Sequence, residues 1–173
     1  MHPSVELIPI TEDELDDFID RLQAAFTHAA RATFPEFLGT IPPRRDIDEA
    51  LDEPTTETLG IAHDGRIIGG AIVTGGKVRK TLEFIFIDPS QQNLRLGQSA
   101  WQAIEARYPD TQTWELVTAY HEKRNIHFYV NKCGFHIVEY FNQYHESPDF
   151  SQEGAEDYPG EDGGLFRLEK HLA

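Results

Sequence analysis

The chain begins with the apolar pattern of a short strand, followed by that of an amphipathic helix. A strand is predicted over 5–10. Thr11 and Glu14 stand three residues apart, as in a capping box, and therefore predict the start of a helix. One face of this helix is expected to be buried, because its apolar residues recur every three or four positions: Leu15, Phe18, Ile19, Leu22, Ala25, Phe26 and Ala29. Prolines then interrupt the pattern, and a second, short helix is predicted over 46–51.

From residue 57 onward the pattern changes to that of strands. The Asp-Gly pair at 64–65 separates two strand patterns, over 58–63 and 66–74, and predicts a β-hairpin. A third strand is predicted over 77–87. The glycine pair at 69–70 lies inside a predicted strand, which favours a bulge or a close backbone contact over a phosphate-binding loop.

The second half of the chain alternates helices and strands. The predicted elements are a helix over 97–108 that Pro109 ends, a strand over 113–119, a short helix over 124–133 that Gly134 ends, and strands over 135–144 and 165–171. The last two strands are joined by an acidic insert over 146–164. The resulting order, β-α-α-β-β-β-α-β-α-β-β, predicts an α/β (α+β) fold.

The composition suits a single folded domain over 1–173, with 39% hydrophobic residues. Cys133 is the one cysteine, so it cannot form an intrachain disulfide, and we expect it to pack in the core rather than act as a nucleophile. The N-terminal residues lack the basic and apolar regions of a signal peptide. No apolar run approaches the roughly 20 residues of a membrane span. We therefore expect a cytoplasmic protein that makes no contact with a membrane.

The charge of the chain excludes some partners. Its 30 acidic residues outnumber its 15 Lys and Arg, which gives a formal net charge of -15. Such a field repels nucleic-acid phosphates, and the basic residues are scattered along the sequence, so nucleic-acid binding is not expected. The eight histidines show no metal-ligand spacing, so no metal site is expected either.

The segment 84–109 carries the clearest chemical signal. A buried strand leads through a polar turn into a helix that opens with Leu-Gly-Gln-Ser at 96–99. Backbone N–H groups at a helix start have no partners within the helix, and together with the helix dipole they bind anions such as a pyrophosphate. The alternative is an ordinary connection between a strand and a helix.

This segment resembles the pyrophosphate-binding signature of the GNAT N-acetyltransferase superfamily, which reads Gln or Arg, two residues, Gly, one residue, then Gly or Ala. Residues 92–97 match it at Gln92 and Gly97, whereas Arg95 replaces the first glycine. A guanidinium there could itself contact phosphate. The Ile-Asp-Pro at 87–89 is similar to the Val-x-Pro that ends the family's fourth strand.

A second resemblance lies in the segment 124–135, where the family has a Phe-Tyr pair before Lys-x-Gly-Phe. The matching residues are Phe128, Tyr129, Lys132, Gly134 and Phe135. Asn131 is inserted relative to the commonest spacing. Many members carry an Asn seven residues before the Tyr; here Glu122 stands at that position and Asn125 lies closer.

The resemblance implies a mixed, mostly antiparallel seven-stranded sheet with helices on both faces. The fourth and fifth strands would splay apart, with acetyl-CoA as co-substrate between them. The residues expected to bind it are Ile85, Phe86, Ile87, Gln92, Asn93, Leu94, Arg95, Leu96, Gly97, Gln98, Ser99, Asn125 and Tyr129. Because CoA is an anion, its site would be a local exception to the charge of the chain.

The resemblance also implies the chemistry, which is acetyl transfer to an amine. Tyr129 is the candidate acid for the leaving thiolate, and its alternative role is a packed aromatic. Glu83, on the fourth strand, is the candidate base, and its alternative is an ordinary exposed glutamate. The acceptor would be a small-molecule or peptide amine. The acidic insert is consistent with a cationic acceptor, and its alternative role is a solvated loop that does not contact the substrate.

Three questions stay open from the sequence. A homodimer is common among similar proteins, but nothing in the sequence decides it. The replacement of glycine by Arg95 favours an alternative, a catalytically silent module that binds acyl-CoA. The acidity favours another, an α/β interaction protein for a basic partner.

Overall fold

A single sheet of seven strands organises the part of the chain that the structure describes. The structure, a computed structural model, describes residues 3–92, 95–148, 157–160 and 164–172. The strands are β1 (Glu6–Pro9), β2 (Glu57–His63), β3 (Arg66–Gly75), β4 (Arg79–Ile87), β5 (Thr113–Ala119), β6 (His136–Phe141) and β7 (Leu165–His171). The helices are α1 (Leu15–Thr33), α2 (Arg44–Asp52), α3 (Leu96–Arg107) and α4 (Lys123–His127), with a π-helical turn over Phe128–Lys132.

The strands lie in the order β1-β2-β3-β4-β5-β7-β6. All neighbours are antiparallel except β4 and β5, which are parallel. The predicted element order and the predicted mixed, mostly antiparallel sheet are therefore confirmed.

Two predicted elements end differently in the structure. The last turn of the helix predicted over 124–133 is π-helical rather than α-helical. The strand predicted over 135–144 stops at Phe141. The chain turns there because the Asn142 side-chain oxygen accepts hydrogen bonds from the backbone N–H of Tyr144 at 2.9 Å and of His145 at 3.1 Å.

α1 begins as its sequence predicts and covers one face of the sheet. The Thr11 N–H and hydroxyl both donate to the Glu14 carboxylate, at 3.2 and 2.7 Å, as part of the predicted capping box. Phe18 of α1 packs edge-on against Phe86 of β4, with ring centroids 5.5 Å apart. The buried residues of α1 are Phe18, Ile19, Leu22, Ala25, Thr27 and Ala30.

α3 covers the opposite face of the sheet. Its Trp101 packs against Trp114 of β5 and against Phe135, with ring centroids 5.1 Å apart in both pairs. All three side chains are at most 2% exposed. Helices therefore lie on both faces, as predicted, and the sheet is fixed between two apolar layers.

The glycine pair at 69–70 serves packing rather than phosphate binding. The register of β2 and β3 shifts between Ile61 and Ala62, opposite these glycines, which is the predicted bulge. A Cβ on Gly69 would lie 2.2 Å from the carbonyl oxygen of Phe86. A Cβ on Gly70 would lie 2.2 Å from the Phe18 ring. Both the bulge and the close contact are present.

β4 and β5 separate along their length. They pair only from Arg79 opposite Thr113 to Thr81 opposite Glu115. Beyond this point β4 continues to Ile87, while β5 continues along β7 on its other side. The predicted splay is confirmed, and it leaves a gap in the middle of the sheet.

Two further observations concern the chain as a whole. Most of the acidic insert, residues 149–156 and 161–163, lies outside the described residues. Among the helices that the structure describes, none is long and apolar enough to cross a membrane.

Candidate functional site

The gap between β4 and β5 opens into a cleft of about 550 Å³. Its walls come from α1, the end of β4, the start of α3, and α4 with the π-helical turn. The sequence-predicted residues that line it are Ile85, Phe86, Ile87, Gln92, Arg95, Leu96, Gly97, Gln98, Asn125 and Tyr129. The fold thus brings together two segments that the sequence analysis selected separately.

Other predicted residues lie elsewhere. Asn93 and Leu94 fall outside the described residues. Ser99 is buried in α3, and its hydroxyl has no hydrogen-bond partner among the residues described. Glu83 is absent from the cleft lining.

The charge of the cleft is opposite to that of the chain. Arg95, Arg124 and Lys132 line it, and no carboxylate is among its described lining residues. In a chain of net charge -15, this is the local exception that a polyphosphate ligand requires. Sequence reasoning selected Arg95 but missed Arg124 and gave Lys132 no binding role. The available signal was helical spacing, because Arg124 precedes Phe128 by four residues.

The loop that leads into α3 holds Arg95 in an unusual conformation. Arg95 is the N-cap of α3 and has φ 60° and ψ 18°, in the left-handed region. Glycine adopts this conformation without strain, whereas other residues do so at a cost of about 1–2 kcal/mol. Arg95 therefore keeps the backbone conformation that glycine favours and adds an exposed guanidinium beside the cleft.

Two substitutions at this position separate the side chain from the backbone. In Arg95→Ala the left-handed strain stays, whereas in Arg95→Gly it is relieved. We expect both to weaken CoA binding about tenfold and to flatten its dependence on salt, because a charged hydrogen-bond donor is lost. Arg95→Gly should also be about 1 kcal/mol more stable than Arg95→Ala in urea denaturation. CoA titration at two salt concentrations checks the first point, and tighter binding by Arg95→Ala would show that the guanidinium obstructs the cleft.

Gly97 faces a neighbouring ring as well as the cleft. A Cβ at this position would lie 3.3 Å from two ring carbons of Phe128. The missing side chain therefore allows Phe128 to pack against the first turn of α3. In addition, the Gln98 amide nitrogen donates to the Lys132 carbonyl at 3.2 Å. These contacts hold the two walls of the cleft together.

The inserted Asn131 is accommodated by the π-helical turn. The Cys133 N–H donates to the carbonyl of Phe128, five residues back, at 3.0 Å. A turn closed over five residues holds one residue more than an α-helical turn, and such turns occur frequently at functional sites. Gly134, with φ 86°, then ends the helix as predicted. The insertion relative to the family's spacing is thus absorbed within one turn.

Tyr129 lies in this turn with its ring inside the protein. The ring packs against those of Phe128 and Phe135, with centroids 5.4 and 6.0 Å away. Burial raises the pKa of the Tyr129 hydroxyl well above its ordinary value of 10.0, and nearby Cys133 and Glu122 add to this shift. The hydroxyl makes no hydrogen bond to any described residue. Tyr129 therefore keeps its proton at physiological pH, and the residue forms part of the cleft wall.

Glu83 lies on the sheet face that α1 covers, opposite the face on which Tyr129 packs. The register of β3 and β4 shifts between Ile72 and Val73, so that Glu83 is the extra residue of a bulge. Thr74 donates a hydrogen bond to its carboxylate at 2.8 Å. Because Val73 packs on the α3 side, Thr74 and the carboxylate that it contacts are on the α1 and α2 side. Glu83 is near the split of the two strands but is held by β3.

The remaining candidate groups play structural roles. Cys133 is 3% exposed, and burial raises the pKa of its thiol to about 12, so it stays a neutral core residue. Among the residues that the structure describes, no cluster of three or more His, Cys, Asp or Glu could hold a metal ion.

Comparisons with known proteins agree with this geometry. The sequence profile described as "Acetyltransferase (GNAT) family" matches residues 23–135. A protein of Bacillus subtilis (strain 168), named only as uncharacterized protein YrkN, is 43% identical over 158 residues, which are 90% of this chain and 85% of that protein.

Solved structures share the fold at low sequence identity. A GNAT family acetyltransferase from Elizabethkingia anophelis with acetyl-CoA bound superposes with a TM-score of 0.70, at 16% identity, over 98% of this chain and 99% of the other. The ribosomal-protein-S18-alanine N-acetyltransferase from Escherichia coli gives a TM-score of 0.70, at 14% identity, over 98% of this chain and 94% of the other. These two likenesses concern the fold alone.

Proposed function

Because this chain belongs to the acetyltransferase (GNAT) family, we propose that it transfers the acetyl group of acetyl-CoA to a primary amine of a small molecule or peptide. The observation that carries the proposal is the cleft at the β4–β5 split, whose described charged residues are all cationic. CoA is a polyanion, so a site for it must overcome a net charge of -15. The names of two structural neighbours, one with acetyl-CoA bound and one an N-acetyltransferase, support the same reaction.

Each wall of the cleft suits one part of acetyl-CoA. Arg95, Arg124 and Lys132, together with the N–H groups at the start of α3, would hold the phosphates. Past Thr81 the edge of β4 that faces β5 has no paired strand. Its backbone groups, over 85–87, would therefore bind the pantetheine arm and polarise the thioester carbonyl. Tyr129 would protonate the leaving thiolate.

The first experiment compares binding with turnover. CoA at 100 times its dissociation constant should add about 2.7 kcal/mol to the stability of the chain. This corresponds to a rise in melting temperature of about 5–10 °C for a domain of this size. Thiol release from acetyl-CoA should then accelerate in the presence of at least one amine from a panel. Stabilisation without turnover would favour a silent acyl-CoA-binding module, and no stabilisation would favour an acidic interaction protein.

We also propose that the acceptor carries a positive charge. The acidity of the chain and of the insert over 146–164 supports this. Of the insert's described carboxylates, Asp157 already pairs with Arg45 at 2.6 Å. The panel should therefore include polyamines, aminoglycosides and basic peptides beside neutral amines. Cationic acceptors should have the higher kcat/KM, with an advantage that shrinks as salt is added, and equal values for both classes would contradict the proposal.

A further inference from the structure

A histidine lies on the acceptor side of the strand split. In β5, Trp114, Leu116 and Thr118 are buried toward α3, so the alternate residues face the side of α1 and α2. His121 lies two residues beyond β5, in the turn that the Glu122 N–H closes by donating to the Ala119 carbonyl at 3.0 Å. Its ring packs edge-on against Phe34, the C-cap of α1, with centroids 5.0 Å apart and the planes at 82°. His121 is therefore on the sheet face opposite α3.

The ring of His121 is held in place but remains accessible. Its Nε2 is 3.7 Å from Oε1 of Glu122, and its side chain is 27% exposed. Gly160, from the connection between β6 and β7, also lies against the ring, so that a Cβ there would be 3.2 Å from Nδ1. Three separate segments thus fix the imidazole, and a carboxylate faces one of its nitrogens.

His121 and Tyr129 both lie near the carboxylate of Glu122, which is 3.7 Å from Nε2 of His121 and close enough to Tyr129 to raise the pKa of its hydroxyl. The chain runs from His121 through Glu122 directly into α4, which leads to the π-helical turn that carries Tyr129. Tyr129 packs with the apolar layer on the α3 side. The structure therefore places an imidazole and a protonated phenol on opposite faces of the sheet, both near Glu122.

From this arrangement we propose that His121 is the base that takes the proton of the attacking amine, and that Glu122 is the residue that positions its ring. The proposal rests on the proposed acetyl transfer. Imidazole is the side chain that most often serves as a general base in enzymes. The sequence candidate Glu83 lies on the same side of the sheet, where its carboxylate accepts a hydrogen bond from Thr74.

The step balances with these two side chains. The amine nitrogen forms a bond to the thioester carbonyl carbon, and the carbon–sulfur bond breaks. His121 takes the proton that the nitrogen loses, and Tyr129 gives its proton to the sulfur. The products are the N-acetylated amine and the CoA thiol, and both side chains regain their starting protonation by exchange with water.

Among the residues that the structure describes, Glu122 is the carboxylate that faces the His121 ring. In the segment that packs against the ring, Asp157 is paired with Arg45 at 2.6 Å. The Tyr158 hydroxyl of the same segment donates to Asp46 of α2. Near the end of α1, Arg31 donates to loop carbonyls. Among the described residues, Glu122 is thus the carboxylate placed to orient the imidazole.

The test measures kcat against pH with acetyl-CoA and the amine from the panel that the unaltered chain acetylates fastest. His121→Gln should lower kcat at neutral pH about 10²-fold, the lower end for a general base. It should also abolish the fall of kcat on the acid side, since that fall reflects protonation of the imidazole. Added imidazole should restore part of the rate of His121→Ala. Glu122→Gln should keep the acid-side fall and lower kcat less than His121→Gln does, because the base is still present and only the residue that positions it is lost.

His171→Gln is the matched control. His171 also faces a carboxylate, with Nε2 3.1 Å from Glu169, but it lies at the other end of β7. Its substitution should leave kcat and the pH profile unchanged. CoA stabilisation, measured by melting temperature, should persist in every variant and shows that each has folded.

The outcomes distinguish a failure of the proposed acetyl transfer from a failure of the role proposed for His121. No transfer to any amine by the unaltered chain would overturn the proposed function and this assignment with it. Transfer by the unaltered chain with the same pH profile in His121→Gln would overturn only the assignment. A slower His121→Gln that keeps its acid-side fall, or a His121→Ala that ignores imidazole, would reduce His121 to a packing role.

Discussion

Tyr129→Phe should lower kcat by about 10²-fold or more while leaving CoA binding almost unchanged. The phenylalanine ring keeps the packing against Phe128 and Phe135, so only the hydroxyl is lost. Without it the sulfur leaves as an unprotonated thiolate, and general acid catalysis typically contributes at least this factor. The raised pKa of Tyr129 keeps the hydroxyl protonated up to and beyond pH 10.0, its ordinary value, so this group should cause no fall of kcat between pH 7 and pH 9.

Tyr108→Phe is the control for that experiment. Burial raises the pKa of Tyr108 to about 12, but its hydroxyl donates to Glu57 at 2.6 Å, outside the cleft. Its substitution should cost some stability and leave kcat unchanged. A Tyr129→Phe variant with the full kcat would return Tyr129 to a packing role, and a loss shared by both variants would indicate a general effect on the fold.

The backbone elements could be predicted from local patterns because local chemistry determines them. Thr11 donates a hydrogen bond to Glu14 at the start of the first helix. Gly134, with its positive φ, ends α4 and the π-helical turn. The splay of β4 and β5 is different, since it depends on pairing between distant strands. It was predicted only because two motifs resembled a known family.

Some parts of the candidate site could not be predicted because they depend on tertiary proximity. His121 has no motif around it, and its position matters only because Phe34 and Gly160 pack against it. Arg124 belongs to the cleft only because α4 faces the start of α3. The overall acidity of the chain does not indicate that three cationic side chains line one cleft. Glu83 is a residue that the sequence did select. Its strand is predicted correctly, but its hydrogen bond with Thr74 is not.

The glycine at 69 connects the fold to the site, and Gly69→Ala should cost about 3 kcal/mol of folding stability, the upper end of typical overpacking. A Cβ at this position would be 2.2 Å from the carbonyl oxygen of Phe86 and 3.0 Å from the Cα of Ile87. Both atoms are backbone, so β3 and β4 would have to move apart, whereas a flexible side chain could turn away. The shift would act at the residues of β4 that line the cleft. CoA binding should therefore weaken together with stability.

Gly76→Ala provides the comparison, because a Cβ there would meet only the Arg79 carbonyl, 4.0 Å away. Both variants add one methyl group to a glycine of the same hairpin region, but only Gly69→Ala forces a backbone contact. Urea denaturation should give a large loss for Gly69→Ala and a change within about 0.5 kcal/mol for Gly76→Ala, as is usual for exposed positions. CoA titration under native conditions should give weaker binding for Gly69→Ala than for Gly76→Ala. Equal stabilities would mean that β3 and β4 can move apart without cost, and the position of the Phe86 carbonyl would then not depend on the glycine.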